Sequence, residues 1–274
     1  MEKNPDGTDS NRISRVLCKI TVIRGIRDFG AKDQRMKMDQ LIIMTGNEKI
    51  IKLMKDWRQN DMVSVRGTLI TQNFMKSCTC KECGHTQAFK GYAAYINPIY
   101  VRIMGQGFDP ERGLRDMQQN AEVSNRITVI GKACDDPQCH AHEVSGNLIT
   151  SYVIDIERKY KVREDDETNR HDFPVVKSYG KIAENDSIAI KKGGYVFIDG
   201  QLQARNYIRK FICENCGEEI EKLDNVTEIV PYSTEYLMGC IPMEQVIEIK
   251  AQREREEEFN AVSDIFDRPT EEEE

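Results

Sequence analysis

The chain has 274 residues, 39% of them hydrophobic and 31% charged, which is typical of a water-soluble protein with room for two domains. No run of 18 apolar residues occurs, which excludes a membrane-spanning helix, and the polar segment 1–12 has no apolar stretch that would indicate export. The expected compartment is therefore the reducing cytoplasm, where nine cysteines favour metal ligation over disulfides.

The net charge of −7 is concentrated at one end of the sequence. Residues 251–274 contain ten acidic and three basic side chains, so the other 250 residues carry 36 charges of each sign. Acidic runs of this kind are usually disordered interaction segments. A neutral body can still carry a basic groove, so an anionic partner is not excluded.

The first half of the sequence is predicted to form a β-rich domain over residues 13–104, after a disordered segment over 1–12. Apolar and β-branched residues in alternation predict strands, and the apolar spacing of NEKIIKLMKDW predicts a helix. The strands are expected over 14–23, 35–46, 61–74 and 91–104, with the helix over 47–57. Residues 105–122 are expected to be a linker, helical in part.

The second half repeats this order over residues 123–240. Strands are expected over 125–137, 147–160, 173–180, 191–209 and 224–237, with a polar loop over 162–172 and one or two helical turns over 181–190. Five strands with a short helix between the third and fourth are typical of the OB-fold, a five-stranded Greek-key barrel. Another small β-barrel is the alternative architecture. Residues 241–274 are expected to form a helix followed by a disordered acidic tail.

An internal repeat supports a duplicated domain. The segment 67–84 (GTLITQNFMKSCTCKECG) aligns without a gap to 200–217 (GQLQARNYIRKFICENCG), at an offset of 133 residues. Both segments contain C-x-x-C-G at the same place. Two copies are too few for a solenoid, so an all-β protein with two tandem OB-fold barrels is predicted, each with a cysteine hairpin between its fourth and fifth strands.

The cysteine hairpins have the spacing of zinc ligand pairs. A structural zinc site needs four ligands and each hairpin provides two, so something must complete each pair. One possibility is a single shared site; another is two separate sites, with extra ligands near each hairpin. The uneven placement of these extra ligands favours two sites, although a shared site and a chain without metal stay open. The candidate ligands are Cys80, Cys83, Cys213 and Cys216, with Cys78 and His85 for the first hairpin and Cys139 and His140, beside Cys134 and His142, for the second.

Residues of roughly 124–237 resemble the bacterial single-stranded DNA-binding protein family. The resemblance rests on NRITVIGKACDDP, VVKSYGKIAE, IKKGGYVFIDGQLQARNY and TEIV, which cover all five predicted strands. It implies that bases stack on aromatic rings along a groove, which holds a strand without reading its sequence. The rings implied in the second copy are Tyr160, Phe173, Tyr179 and Tyr207. In the first copy Phe74 matches Tyr207, whereas Thr45 occupies the position matched to Tyr179.

Cations near these rings would neutralise phosphates and release counterions. The candidates in the second copy are Lys177, Lys181, Arg205, Arg209, Arg158 and Lys159. In the first copy the corresponding candidates are Arg66, Lys76 and Lys90.

The function that the resemblance implies is non-catalytic binding of single-stranded DNA, which would coat and protect exposed strands in replication, recombination or repair. It also implies a cytoplasmic, nucleoid-associated homodimer without membrane contact. One alternative is a primosome-like or recombination-mediator platform in which one OB domain binds DNA and the other binds protein. A zinc-dependent nucleic-acid enzyme using Glu143 is disfavoured, since the C-x-x-C pairs lie between strands and lack the preceding proline of zinc deaminases.

The acidic tail departs from the family pattern because it ends in EEEE rather than in an aromatic residue. Two interpretations are open for it. Ile265 and Phe266 could dock replication or repair proteins, or the tail could be a solubilising segment that also competes with DNA for the basic groove.

Overall fold

The structure is a computed structural model that describes residues 15–24, 38–119, 124–143, 146–159, 162 and 170–266. The first half contains four described strands, two of them long enough to extend beyond the sheet as arms. They are β1 (Val16–Ile23), β2 (Met38–Thr45), β3 (Met62–Thr79) and β4 (Thr86–Gly105), with helices α1 (Glu48–Met54) and α2 (Pro110–Gln119). Helix α1 begins where the Asn47 side chain accepts hydrogen bonds from the amides of Lys49 and Ile50, an N-cap that explains the predicted start.

The second half contains the closed barrel. Strand β5 pairs with both β10 and β7, which closes β5, β10, β11, β9 and β7 into a five-stranded ring, and β6 and β8 add short pairings to β7. The elements are β5 (Ile127–Ala133), β6 (Gln138–Ala141), β7 (Leu148–Glu157), β8 (His171–Asp172), β9 (Val175–Tyr179), α3 (Gly180–Ala189), β10 (Tyr195–Ile212), β11 (Glu219–Tyr236) and α4 (Met243–Phe266). This order, with α3 between the third and fourth barrel strands, is the predicted OB-fold.

The first sheet has the order β1-β2-β4-β3, which corresponds to β7-β9-β11-β10 in the second copy. Its parallel contact, Ile43 opposite Ile96, is matched by Val176 opposite Ile229 at an offset of 133 in both strands. Four of the five expected strands therefore lie among the described residues of this copy. Any counterpart of β5 would precede Val16, where residues 1–14 are outside the described ranges.

Both copies bend at the same glycine. The pairing of the two long strands shifts register between Arg66 and Gly67 and again between Asp199 and Gly200. A Cβ atom at Gly67 would collide with the carbonyl oxygen of Asn97, and one at Gly200 with that of Val230. Only glycine allows the strands to approach this closely, which explains why both copies have glycine at this position.

One hydrophobic cluster contains residues of both copies, in addition to the first copy's own cluster around Ile43 and Ile50. Val22 and Leu41 of the first sheet pack with Ile154, Val176 and Ile198 of the barrel. Helix α4 packs through the buried Val246 against α3, while Ile247 is exposed. No helix among the described residues is both long and apolar enough to cross a bilayer.

The linker expected to be helical in part contains α2. Two other sequence expectations differ from the structure in extent. The helix expected at the start of 241–274 continues to Phe266, within the segment expected to be a disordered tail. The predicted loop over 162–172 ends in β8, which pairs with β7, whereas 163–169 lie outside the described residues.

Candidate nucleic-acid interface

One side of β9 and the segment before it presents polar and aromatic side chains. Phe173 is 43% exposed, and Lys177 and Tyr179 are half-buried, while Pro174, Val176 and Ser178 between them are buried. Because side chains alternate along an extended strand, Lys177 and Tyr179 lie on the face that points away from the barrel core.

The same face continues across the sheet to β10. Tyr179 is hydrogen-bonded to Gln203, and burial raises the pKa of its hydroxyl. The Arg205 guanidinium lies 5.7 Å from the centre of the Tyr207 ring. Arg205 also donates to the buried carboxylate of Glu228 at 2.9 Å. Phe173, Lys177, Tyr179, Arg205 and Tyr207 are referred to below as the outer face.

The outer face can hold a flexible anionic chain. Its rings can stack on bases, at about 1–3 kcal/mol for each base, and its cations can neutralise phosphates. Lys181, two residues after Tyr179 at the start of α3, is exposed, and so is Lys159. Tyr160, the remaining predicted ring, lies outside the described residues.

Two of the arginines predicted to bind phosphate also make contacts within the protein. The Arg158 side chain is only 9% exposed and forms an ion pair with Asp172 at 2.5 Å. Arg209 lies 5.1 Å and 5.0 Å from the ring centres of Phe89 and Phe211 and donates to the Lys90 carbonyl at 2.9 Å. The sequence did not predict these contacts, because alternation along a strand does not reveal which distant residues a side chain meets.

The first copy has a poorer version of the outer face. Phe74 is exposed, and the Lys76 ammonium lies 5.2 Å from the centre of its ring. Lys76 is also paired with the buried Asp224 of the second copy. The strand register places Gly46, rather than Thr45, at the position of Tyr179, while Thr45 is buried like Ser178. The aromatic ring is absent as expected, but the residue that replaces it is one position later in the sequence than predicted. Arg66 and Lys90 are exposed.

Two contacts that were not predicted from the sequence join Phe173 to the first copy. The Tyr92 hydroxyl donates to the Phe173 carbonyl at 3.3 Å, and the Phe173 amide donates to the Thr71 hydroxyl at 2.8 Å. No signal in the sequence links these residues, because Tyr92 aligns with Asn225 in the repeat and has no aromatic counterpart.

The two cysteine hairpins meet. Cys80 Sγ lies 3.7 Å from Cys216 Sγ, and Cys83 Sγ lies 3.6 Å from Cys213 Sγ. All four sulfur atoms lie within 4.8 Å of one another. Thiolates grouped in this way are suited to zinc and other soft metal ions.

The additional ligand candidates lie elsewhere. Cys78 is buried, with its thiol 3.8 Å from the Gln87 carbonyl, and Cys139 and His140 are exposed on β6. Among the described residues, neither these three nor His85 joins a group of three or more potential ligands. The geometry therefore favours the shared arrangement over the two separate sites that the sequence favoured. Ile265 and Phe266 belong to the last turn of α4.

Comparison with known proteins identifies the family. Residues 124–212 match the Single-strand binding protein family. Single-stranded DNA-binding protein 1 of Clostridium acetobutylicum is 36% identical over 111 residues, which are 39% of this chain and 99% of that protein. The single-stranded DNA-binding protein of Thermotoga maritima is 27% identical over 143 residues, 52% of this chain and 92% of the relative.

The fold comparison extends over both copies. The crystal structure of the single-stranded DNA-binding protein from Thermus aquaticus aligns with a TM-score of 0.54 at 11% identity, covering 86% of this chain and 85% of that one. This likeness supports the mostly-β OB-fold architecture. The sequence relatives show that the chain belongs to the single-strand binding protein family.

Proposed function

We propose that this protein binds single-stranded DNA without catalysis, by stacking bases on the outer face and neutralising phosphates beside them. The observation that carries the proposal is the outer face itself, where Tyr179, Arg205 and Tyr207 are neighbours on one exposed side of a family OB barrel. Such a surface binds strands with little sequence preference, which suits a protein that coats exposed DNA during replication, recombination or repair.

The test compares single-stranded with double-stranded oligonucleotides at two salt concentrations. We expect preference for the single strand and weaker binding at the higher salt. Tyr207→Ala should weaken binding by about 1–3 kcal/mol, as expected for one lost stacking contact. Phe259→Ala is the matched control, because this ring is exposed on α4, away from the barrel. Equal losses in both variants would contradict the proposal.

A platform role for the first copy is the second candidate. The absence of a ring at Gly46 and the pairing of Lys76 with Asp224 favour it. If the first copy binds only protein, Phe74→Ala will leave the affinity and the number of nucleotides bound per chain unchanged. A loss comparable to that of Tyr207→Ala would assign DNA binding to both copies.

We also propose that chains associate as homodimers, which would gather four OB domains in one assembly. Mass measurement by light scattering tests this, and a monomer at micromolar concentration would refute it.

The tail is proposed to dock replication or repair proteins through Ile265 and Phe266. Truncation after residue 250 removes the tail and keeps Val246, which anchors α4. Loss of partner capture with unchanged DNA affinity supports docking. Unchanged capture with tighter DNA binding at low salt supports competition with the groove instead.

A further inference from the structure

We propose that Cys80, Cys83, Cys213 and Cys216 together bind one metal ion, zinc by the chemistry of four thiolates, which joins the two copies at the tips of their long hairpins. The inference does not depend on DNA binding. It concerns only how the duplicated halves are held in position.

Each hairpin has the backbone of a metal knuckle. The amide of Cys80 donates to the His85 carbonyl at 2.8 Å, and that of Cys213 donates to the Glu218 carbonyl at 2.8 Å. Gly84 and Gly217 follow the second cysteine of each pair with φ of 71° and 77°, a left-handed conformation that glycine adopts without strain. The two turns thus present their cysteine pairs in the same way.

The sulfur geometry fits a tetrahedral ion. With Zn–S bonds of about 2.3 Å, the edge of a tetrahedron of sulfur atoms is about 3.8 Å. The observed separations between copies are 3.7 Å and 3.6 Å. A disulfide would need sulfur atoms about 2.05 Å apart, which is much shorter than either separation.

The contacts are reciprocal. Cys80 corresponds to Cys213 and Cys83 to Cys216, so exchanging the two copies converts the Cys80–Cys216 contact into the Cys213–Cys83 contact. The two hairpins are therefore related by an approximate two-fold axis through the sulfur cluster. A single ion on this axis would receive two ligands from each copy. Each copy of the repeated C-x-x-C-G motif would thus provide two ligands to the same ion.

The surroundings support a closed structural site. Cys80 and Cys213 are buried in a small cluster with Phe89, Phe211 and Ile220. The Gln87 side chain bridges the hairpins, since its Nε2 donates to the Ile212 carbonyl at 3.0 Å and its Oε1 accepts from the Glu214 amide at 3.0 Å. This cluster is small for two long arms, and a metal ion would provide the missing stabilisation.

The decisive measurement is the metal content of the full chain purified without chelators. We expect one zinc ion per chain. When the native protein is titrated with an organomercurial, that zinc should be released as the four ligand thiols react. Cobalt(II) exchanged into the protein should give the intense thiolate charge-transfer and d–d bands of a tetrahedral four-sulfur site. Two metal ions per chain, or sulfur atoms found joined as disulfides, would overturn the proposal.

Variants in both copies distinguish one shared metal site from two independent sites. Cys83→Ser and Cys216→Ser alter exposed cysteines in opposite copies, and each should abolish the four-sulfur cobalt spectrum. Cys139→Ser and His140→Ala, on exposed β6, should leave metal content and spectrum unchanged. If either hairpin variant keeps a full complement of metal, or a β6 variant loses it, the shared site is wrong.

Discussion

Asp172 accepts a hydrogen bond from the backbone amide of Thr71 at 2.6 Å, although 101 residues separate them in sequence. The relationship is reciprocal, because Asp39 in the first copy accepts from the Ala204 amide at 3.0 Å. Both aspartates are buried, and each is paired with an arginine of its own copy, Arg158 or Arg24. The two halves are therefore joined by matched buried carboxylates as well as by a shared core.

Replacing these carboxylates by amides should separate their contributions. Asp172→Asn removes the negative charge that pairs with the buried guanidinium of Arg158. We therefore expect a loss of about 3–5 kcal/mol in the free energy of unfolding. Asp39→Asn should cost less, since the Arg24 side chain is 21% exposed and can be solvated. Urea denaturation at neutral pH measures both. Equal losses of stability in the two variants would show that the burial of the paired arginine does not determine the cost of removing the carboxylate.

Asp186 should make the stability of the second barrel depend on pH. Burial raises the pKa of this carboxyl from 3.8 to about 6, although the hydroxyls of Tyr236 and Tyr152 hydrogen-bond to it. The pKa of Asp186 is higher in the folded than in the unfolded state, so its protonated carboxyl stabilises the fold. This contribution to the free energy of unfolding is complete below about pH 4 and is lost as the pH rises to about 6. The free energy of unfolding should therefore be roughly 3 kcal/mol lower at high pH than at low pH, since each unit of pKa shift corresponds to about 1.4 kcal/mol.

The measurement is the free energy of unfolding of the wild type and Asp186→Asn between pH 4 and 8. The variant cannot ionise at this position, so its stability relative to the wild type should increase with pH over this range. Ser187→Ala, one residue further on, is the control for local effects on α3. A constant difference between wild type and Asp186→Asn would contradict the raised pKa.

Glu228 places a negative charge beneath the outer face. Its buried carboxylate is paired with Arg205, so part of the positive charge of Arg205 is already neutralised. If DNA binds here, Glu228→Gln should raise its affinity by about fivefold at low salt. The repulsion between this carboxylate and a phosphate screened by water is about 1 kcal/mol. Glu221→Gln, on the exposed hairpin arm beside Lys210, should have little effect. Fluorescence titration with an oligothymidine compares them.

Lys177 and Arg209 should respond differently to replacement by alanine. Lys177→Ala should reduce the slope of log affinity against log salt by about one unit for a lost phosphate contact. Arg209→Ala should lower stability, since this side chain lies over the adjoining rings of Phe89 and Phe211. A reduced salt slope in Arg209→Ala at unchanged stability would mean that Arg209 contacts phosphate after all.

Local patterns in the sequence determined much of this protein. Alternation of apolar residues predicted the long strands β3, β4, β10 and β11, and the gap-free repeat from Gly67 and Gly200 predicted a duplicated OB-fold. The C-x-x-C-G motifs predicted paired knuckles. These features depend on residues close in sequence, so their physical causes, strand pleat and turn conformation, can be recognised without knowing what lies opposite.

Only the tertiary structure decided how the copies face each other. The sequence favoured separate metal sites and assigned Arg158 and Arg209 to DNA, whereas the structure brings the four hairpin sulfur atoms together. It also pairs Arg158 with Asp172 and places Arg209 beside two aromatic rings. Strand periodicity reports which face a side chain occupies, but not which distant surface covers that face. That information comes from packing between residues more than a hundred positions apart, such as Asp172 and Thr71.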